Sequence, residues 1–274
     1  MDPEVTPRNA ELTGLLDAIY RAYHYDFRSY SEASLLRRLR NALVHFKLPT
    51  LPLLQDKLLR DPALFNELLR FLTVQVSDMF RDPLYFRSLR EQVVPYLRTY
   101  AALRVWVAGC ATGEEAYSLA ILLHEEGLLE RTQIYATDIN PDALRAAQDG
   151  VFETKRLAQF SDNYQLAGGK GSLSDYYSAA YGGAVFDRQL KKTIVFSDHS
   201  LATDQVFAEM QLVSCRNVLI YFERALQERA LEVLTASLCR KGFLGLGMKE
   251  TLRFTSLAPR FKECDAEARI FQLL

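Results

Sequence analysis

No apolar run in this sequence approaches the roughly 20 residues that a membrane-crossing helix needs. The opening Met1-Asp-Pro-Glu4 has neither the basic nor the apolar stretch of a secretory leader. A cytoplasmic protein without direct membrane insertion is therefore expected. An excess of charge of either sign is also missing. The 33 Lys and Arg against 34 Asp and Glu leave a net charge of −1. Such a balance gives no global attraction to nucleic acid, so nucleic acid is not an expected partner. The cysteines at 110, 215, 239 and 264 form no C-x-x-C pair and no ligand pattern with the four histidines. Reduced thiols and no metal are expected. Repeats, low-complexity tracts and coiled-coil heptads are absent, and a monomer is the default expectation. What remains is an ordinary globular composition, 49% hydrophobic and 24% charged, in 274 residues. That length suffices for one large domain or two.

The most informative stretch present is Arg104-Val-Trp-Val-Ala-Gly-Cys-Ala-Thr-Gly-Glu-Glu-Ala-Tyr-Ser118. A short β-branched and aromatic run ends in small residues, passes Gly109 and Gly113, and enters a helical segment. Strand, tight turn and helix N-terminus together hold nucleoside-bearing cofactors in open α/β sheets. The dinucleotide fingerprint G-x-G-x-x-G is not there. Glu114 and Glu115 stand where a pyrophosphate would meet the helix dipole, and fixed negative charge there suits a cationic ligand. S-adenosylmethionine carries a sulfonium and an ammonium and no phosphate, so it is the cofactor class this charge argument selects.

The first ninety residues read as helical. Leu12, Leu15, Leu16, Ile19, Tyr20 and Tyr23 share one helical face. A second helix runs from Ser31 to about Phe46 with Leu35, Leu36, Leu39 and Leu43 inward. Asp61-Pro62 starts a third, because Asp caps and Pro at the first helical position sacrifices nothing. Asp82-Pro83 opens another, bearing Leu84, Phe86, Leu89 and Val93. From Leu103 strands alternate with helices. Strands are predicted at 103–108, 133–137, 193–197, 210–215, 243–248 and 269–273, and helices near 114–126, 141–148 and 223–238. The expected fold class is α/β: a Rossmann-like, mostly parallel sheet after a small all-α domain at 1–90, with the second domain at 91–274. The Gly-, Ser- and Tyr-rich interval 150–190 interrupts the alternation. Its length favours a small inserted β-subdomain, with a disordered excursion as the competing view.

Asp138 ends the second strand, where an acidic residue accepts hydrogen bonds from both ribose hydroxyls. The plainer reading is that Asp138 or Asn140 caps the helix starting at Pro141. The two roles are compatible. Leu212-Val-Ser-Cys-Arg-Asn-Val-Leu-Ile-Tyr-Phe222 runs from a buried strand into polar residues. Backbone groups of Cys215 and Arg216 would face the adenine and ribose there, and Tyr221 the methyl-transfer site. A reactive Cys215 is disfavoured, since no His or Lys partner lies nearby in sequence.

The chain resembles the chemotaxis receptor glutamate O-methyltransferases, the CheR family, over nearly its full length. The resemblance is carried by Gly-Cys-Ala-Thr-Gly-Glu-Glu-Ala-Tyr-Ser (109–118), Thr-Asp-Ile-Asn (137–140), Ser-Cys-Arg-Asn-Val-Leu-Ile-Tyr-Phe (214–222), Phe-Arg-Asp-Pro (80–83) and Gly-Met-Lys-Glu (247–250). It implies an S-adenosylmethionine-dependent enzyme that esterifies glutamates of chemoreceptors in sensory adaptation and releases S-adenosylhomocysteine. It implies cofactor contacts at Thr73, Gln75, Ser77, Arg81, Glu115, Asp138, Leu201 and the backbone of Cys215 and Arg216. Gln75, Ser77 and Ser200 depart from the family's usual Asn, Thr and Asn. Each keeps a hydrogen-bonding group, with the shortened Ser200 the largest change.

A glutamate acceptor is already ionised at neutral pH, its ordinary pKa being about 4.3, so no general base is needed. The task is alignment, with Arg81 the candidate for holding the acceptor carboxylate and Tyr221 a second hydrogen-bonding group. Arg37, Arg38 and Arg40, with Arg28 and Lys47, form a basic surface on the second helix. Alone it reads as a solvated face. The resemblance makes it a docking face for the cytoplasmic helical domain of a chemoreceptor. Two rivals stay open: a methyltransferase for nucleic acid or a small molecule, and a non-catalytic module that senses S-adenosylmethionine.

Overall fold

The computed structural model describes residues 10–274. The reading of Met1–Glu4, and the first nine residues of the expected helical domain, lie outside the described residues. The chain divides into two compact units: residues up to Val74 together with Tyr221–Gln227, and Gln75–Ile220 together with Glu228–Leu274. Residues 75–90, expected with the helical domain, thus pack with the sheet. The reason is visible in the core, where Met79, Phe80, Tyr85, Phe86 and Leu89 are buried among residues of the sheet unit.

In the helical unit, α1 (Ala10–Tyr23) buries Leu12, Leu15, Leu16 and Ile19. Helix α2 (Glu32–Phe46) buries Leu35, Leu39 and Ala42, and α3 (Leu51–Arg60) buries Leu51, Leu54 and Leu58. Helix α4 (Pro62–Leu72) starts as expected: the Asp61 side chain accepts the Ala63 amide proton at 3.0 Å. Tyr23 stacks on Phe65 with centroids 4.1 Å apart. The 221–227 segment joins through the amide of Ser31, which donates to the Tyr221 carbonyl at 2.9 Å, and that of Glu223, which donates to Ser29 at 2.9 Å.

The sheet unit opens with α5 (Pro83–Ser88), a π-helical turn over Leu89–Val93, and α6 (Val94–Leu97). At 100° per residue Leu84 lies opposite Phe86, Leu89 and Val93, so Leu84, expected inward, is 40% exposed and Tyr85 is buried instead. There follow β1 (Leu103–Ala108), α7 (Glu114–Glu125), β2 (Thr132–Asp138), α8 (Pro141–Asp149) and β3 (Val151–Glu153). Next come α9 (Leu157–Leu166), β4 (Tyr177–Ala180), β5 (Gly183–Phe186), α10 (Arg188–Lys192), β6 (Ile194–Asp198) and β7 (Met210–Cys215). Helix α11 (Arg224–Ser237), β8 (Leu238–Leu246), β9 (Phe261–Asp265) and β10 (Ile270–Leu273) complete the chain.

The seven-stranded sheet has the order β6-β2-β1-β7-β8-β10-β9. Strands β6, β2, β1, β7 and β8 are parallel, and β10 runs antiparallel to both of its neighbours, β8 and β9. The Rossmann-like expectation holds, with an antiparallel edge and one strand, β9, that the sequence reading lacks. The interval 150–190 is ordered as a subdomain: β3, β5 and β4 form their own antiparallel sheet in that order. Strand order reverses between β1 and β7, whose carboxyl ends therefore flank a crevice suited to a ligand.

Candidate active site

The turn after β1 is shaped by residues with positive φ. Gly109 has φ 76°, Ala111 φ 48° and Gly113 φ 94°. A Cβ on Gly113 would lie 2.9 Å from the Cβ of Ala147, and one on Gly109 would lie 2.4 Å from a methyl of Val218. Only glycine fits either position. The amides of Gly109 and Cys110 both donate to the Thr137 carbonyl, at 2.8 and 2.9 Å, which locks the turn onto the end of β2.

That locking puts Asp138 beside the turn. Its Oδ2 accepts the Ala111 amide at 2.9 Å and its Oδ1 the Asn140 amide at 2.9 Å. Each oxygen keeps a lone pair, so a diol could still be accepted. Burial pushes the carboxyl up from its ordinary value, and the amides of Asn140, Ala111 and Ile139 only partly offset this. The Asn140 side chain accepts from the amides of Asp142 and Ala143 and so caps α8. Capping and a free-facing Asp138 coexist, as the sequence reading allowed.

Glu114 and Glu115 do not present two bare charges. Glu114 is fully buried, accepts the Thr112 hydroxyl at 2.7 Å and pairs with Arg156 at 2.8 Å. Burial raises its pKa, opposed by Thr112 and Arg156. Glu115 accepts the Ser214 hydroxyl at 2.6 Å and pairs with Arg216 at 3.0 Å. Contrary to the expected bare negative charge, both carboxylates have arginine partners, and Glu115 alone keeps some exposure, 13% of its side chain. Neither arginine partnership was legible, because Arg156 and Arg216 lie 42 and 101 residues from their glutamates.

The Ser77–Asp82 segment adjoins these residues. Arg156 donates to the Ser77 carbonyl and to Asp78 Oδ1, the latter at 3.0 Å. Asn163 donates to the Met79 carbonyl at 3.0 Å. Phe80 (φ 50°) and Asp82 (φ 55°) are both left-handed, and between them stands Arg81. The Phe80 amide donates to Ser118 Oγ at 2.9 Å. Arg81 is partly exposed and its Nη1 donates to the Val76 carbonyl at 3.3 Å. It pairs with no carboxylate among the described residues.

At the end of β7, Cys215 is buried and burial drives its thiol well up, so it is no nucleophile. The Arg216 side chain is buried as well and donates to Glu115, Asp82 and the Arg81 carbonyl. Sequence reading expected only its backbone to matter. Asn217 (φ 60°) turns the chain, and Glu250 Oε2 accepts the amides of Asn217 and Gly247 at 3.0 and 2.6 Å. Nothing in the Gly-Met-Lys-Glu motif predicts this task for Glu250, whose signal in the sequence is its position just past a strand-end glycine. Ser200 and Leu201 sit in a tight loop after β6. The Ser200 amide donates to Asp204 at 2.9 Å, Leu201 is buried, and Arg229 grips the Ala202 carbonyl at 2.7 Å. His199, also buried, hydrogen-bonds the Gln205 carbonyl from within at 3.0 Å.

Gln75, Ser77, Arg81, Gly109, Glu115, Asp138, Ser200, Leu201, Cys215 and Arg216 all belong to the sheet unit. Thr73 and Tyr221 belong to the helical unit. There the Thr73 hydroxyl donates to the Leu69 carbonyl at 2.7 Å, and the Arg38 guanidinium lies 5.3 Å from the Tyr221 ring centroid.

The expected basic surface needs a second correction. Arg38 is buried and donates to the Leu72 carbonyl at the open end of α4, and to Ser34. Arg28 pairs with Asp26 at 2.8 Å and faces Asp17 at 3.7 Å. Arg37, Arg40 and Lys47 remain exposed. They share one helical stripe with the 79%-exposed Val44.

The donor set fits S-adenosylmethionine. A close-fitting glycine turn, an acid at the second strand's end with acceptor capacity to spare, and a partly exposed carboxylate on α7 supply the required chemistry. Comparison with known proteins agrees. Residues 75–270 match the family model of the CheR methyltransferase SAM-binding domain, and residues 10–73 that of the CheR methyltransferase all-alpha domain. The chain is 53% identical to the Cher3 protein of Pseudomonas putida over 96% of each. It is 30% identical to a chemotaxis protein methyltransferase of Listeria monocytogenes, covering 83% of this chain and 84% of that one. Among solved structures it resembles the glycopeptide N-methyltransferase MtfA complexed with sinefungin. That likeness is loose: TM-score 0.38, 11% identity, 62% of this chain and 50% of the other. On the family models, which together span nearly all the described residues, this chain belongs to the CheR methyltransferase family and is an S-adenosylmethionine-dependent methyltransferase.

Proposed function

We propose that the enzyme methylates glutamate side chains of chemoreceptors, on their cytoplasmic helical domain, and so acts in sensory adaptation. Arg81 carries the reading. A partly exposed cation with no carboxylate partner among the described residues, standing between the left-handed Phe80 and Asp82 and tied through its carbonyl to Arg216, is suited to orient an acceptor carboxylate. Relatives named chemotaxis protein methyltransferase, in Listeria and in Salmonella typhimurium, support the same acceptor class. The stripe of Arg37, Arg40 and Lys47, with apolar Leu43, Val44, Leu48 and Pro49 beside it, suits an acidic amphipathic helix. A cytoplasmic enzyme follows from that partner.

S-adenosylmethionine, when bound, supplies a methyl group on a positively charged sulfur. Asp138 accepts the ribose hydroxyls, and Glu115 offers negative charge to the cationic end. Arg81 orients the acceptor, which enters ionised, so no side chain has to remove a proton. A very firm grip by Arg81 would stabilise the ground state equally, hence its task is alignment.

Incubation with methyl-labelled cofactor and receptor-containing membranes tests the reading. Base-labile label on receptor glutamates is the expected result. Tight cofactor binding without transfer would favour a sensing module instead, and label on another residue type a different acceptor.

A further inference from the structure

We propose that the Arg216 side chain is a positioning residue that ties the cofactor-facing carboxylate of Glu115 to the turn displaying Arg81. This rests on the reading of Arg81 as the group that orients the acceptor. One guanidinium serves both sides. Its Nη1 donates to Glu115 Oε2 at 3.0 Å, and its Nη2 donates to the Arg81 carbonyl and to Asp82 Oδ2, both at 2.8 Å. The Arg216 side chain is 1% exposed, against 13% for Glu115 and 32% for Asp82, so the guanidinium is buried and its carboxylate partners lie nearer the surface.

The fork itself is held in place. The guanidinium lies 4.1 Å from the centroid of the Tyr85 ring. Ser214 gives its proton to Glu115 at 2.6 Å, so the Tyr85 hydroxyl donates to Ser214, at 2.8 Å. Arg216, Glu115, Ser214 and Tyr85 thus close a ring of contacts. Its outer side reaches a turn that two left-handed residues, Phe80 and Asp82, would otherwise leave strained and free to relax. A merely stabilising ion pair needs one carboxylate. Here a planar fork spans a carboxylate on α7 and a backbone carbonyl of the acceptor-orienting residue itself, so the separation between the two is set by a rigid group. A lysine could satisfy one side only.

The test uses the full chain with Asp82→Asn, Arg216→Lys, Arg81→Ala and the two double variants that include Arg81→Ala. Asparagine tolerates the left-handed backbone at 82 and removes only the charge that faces Arg216. It keeps the experiment decisive if Arg216→Lys folds poorly. Cofactor affinity is read by calorimetry, and turnover by receptor labelling at saturating cofactor. Asp82→Asn is expected to lower kcat roughly 10- to 100-fold, as a small misplacement of an orienting group does. Its cofactor Kd should stay within about threefold, since the Glu115 side is untouched. In the Arg81→Ala background neither substitution should lower kcat further, because the positioned group is gone. Multiplicative losses in the double variants, or an unchanged kcat for Asp82→Asn, overturn the proposal alone. Wild-type protein that binds cofactor and labels no receptor glutamate overturns the functional reading and this inference with it.

Discussion

Glu250 Oε2 accepts the backbone amide of Asn217 at 3.0 Å, across 33 residues of chain. The bond stops the turn after β7 from unwinding and fixes the direction in which Cys215 and Arg216 leave the sheet. Glu250 also takes the Gly247 amide at 2.6 Å and the Ile220 amide at 3.3 Å. Truncation therefore strands several backbone donors at once. Glu250→Ala should cost about 3 kcal/mol or more in denaturant unfolding. Glu250→Gln, which retains one acceptor oxygen, should recover a large part of the loss.

Gly113→Ala should impair both folding and cofactor binding. The residue sits at φ 94°, and an added Cβ would press on Ala147 at 2.9 Å. Backbone strain and steric clash together should cost about 2 kcal/mol or more. Calorimetry of the folded fraction separates the two effects. Unaltered cofactor affinity in that fraction would mean that the turn after β1 is not where the cofactor lies.

Cofactor affinity should fall on acidification through Asp138. Burial raises its pKa, so its carboxylate is neutralised at a higher pH than that of an exposed aspartate. Two acceptor positions are already taken by the amides of Ala111 and Asn140. Protonation removes acceptor capacity that a ribose would use. The affinity loss should thus begin above the ordinary aspartate range, and Asp138→Asn should show weak, pH-independent binding. A variant whose profile parallels that of wild type would remove Asp138 from the ribose.

Which parts of this were legible in the sequence has a physical pattern. The turns after β1 and β7 were, because Val-Trp-Val and Leu-Val are strand formers that stop abruptly at glycine or polar residues. The insert was, because forty Gly-, Ser- and Tyr-rich residues are too many for a loop. Strand β9 was not: Phe261-Lys-Glu-Cys-Asp265 is an edge strand with little apolar content, and only its pairing with β10 reveals it. The partners of Glu114 and Glu115 come from distant segments, which no local pattern can supply. Arg38 is different. Its spacing from Leu35 and Ala42 puts it on the inward stripe of α2, and periodicity could have placed it; its charge suggested the surface instead.

That distinction decides how the docking face must be probed. Charge reversal at Arg38 would bury a carboxylate against the Leu72 carbonyl and strip α4 of the donor at its open end. Arg38→Glu should destabilise the helical unit by about 3 kcal/mol and lower methylation through lost protein alone. The exposed pair answers the question cleanly. Arg37→Glu with Arg40→Glu should leave the unfolding midpoint and cofactor affinity unchanged while cutting receptor methylation about tenfold at low salt. The deficit should narrow as salt rises, because the wild-type attraction is then screened. Equal methylation by wild type and this double variant at low ionic strength would place the receptor contact on another face, whatever Arg38→Glu had done.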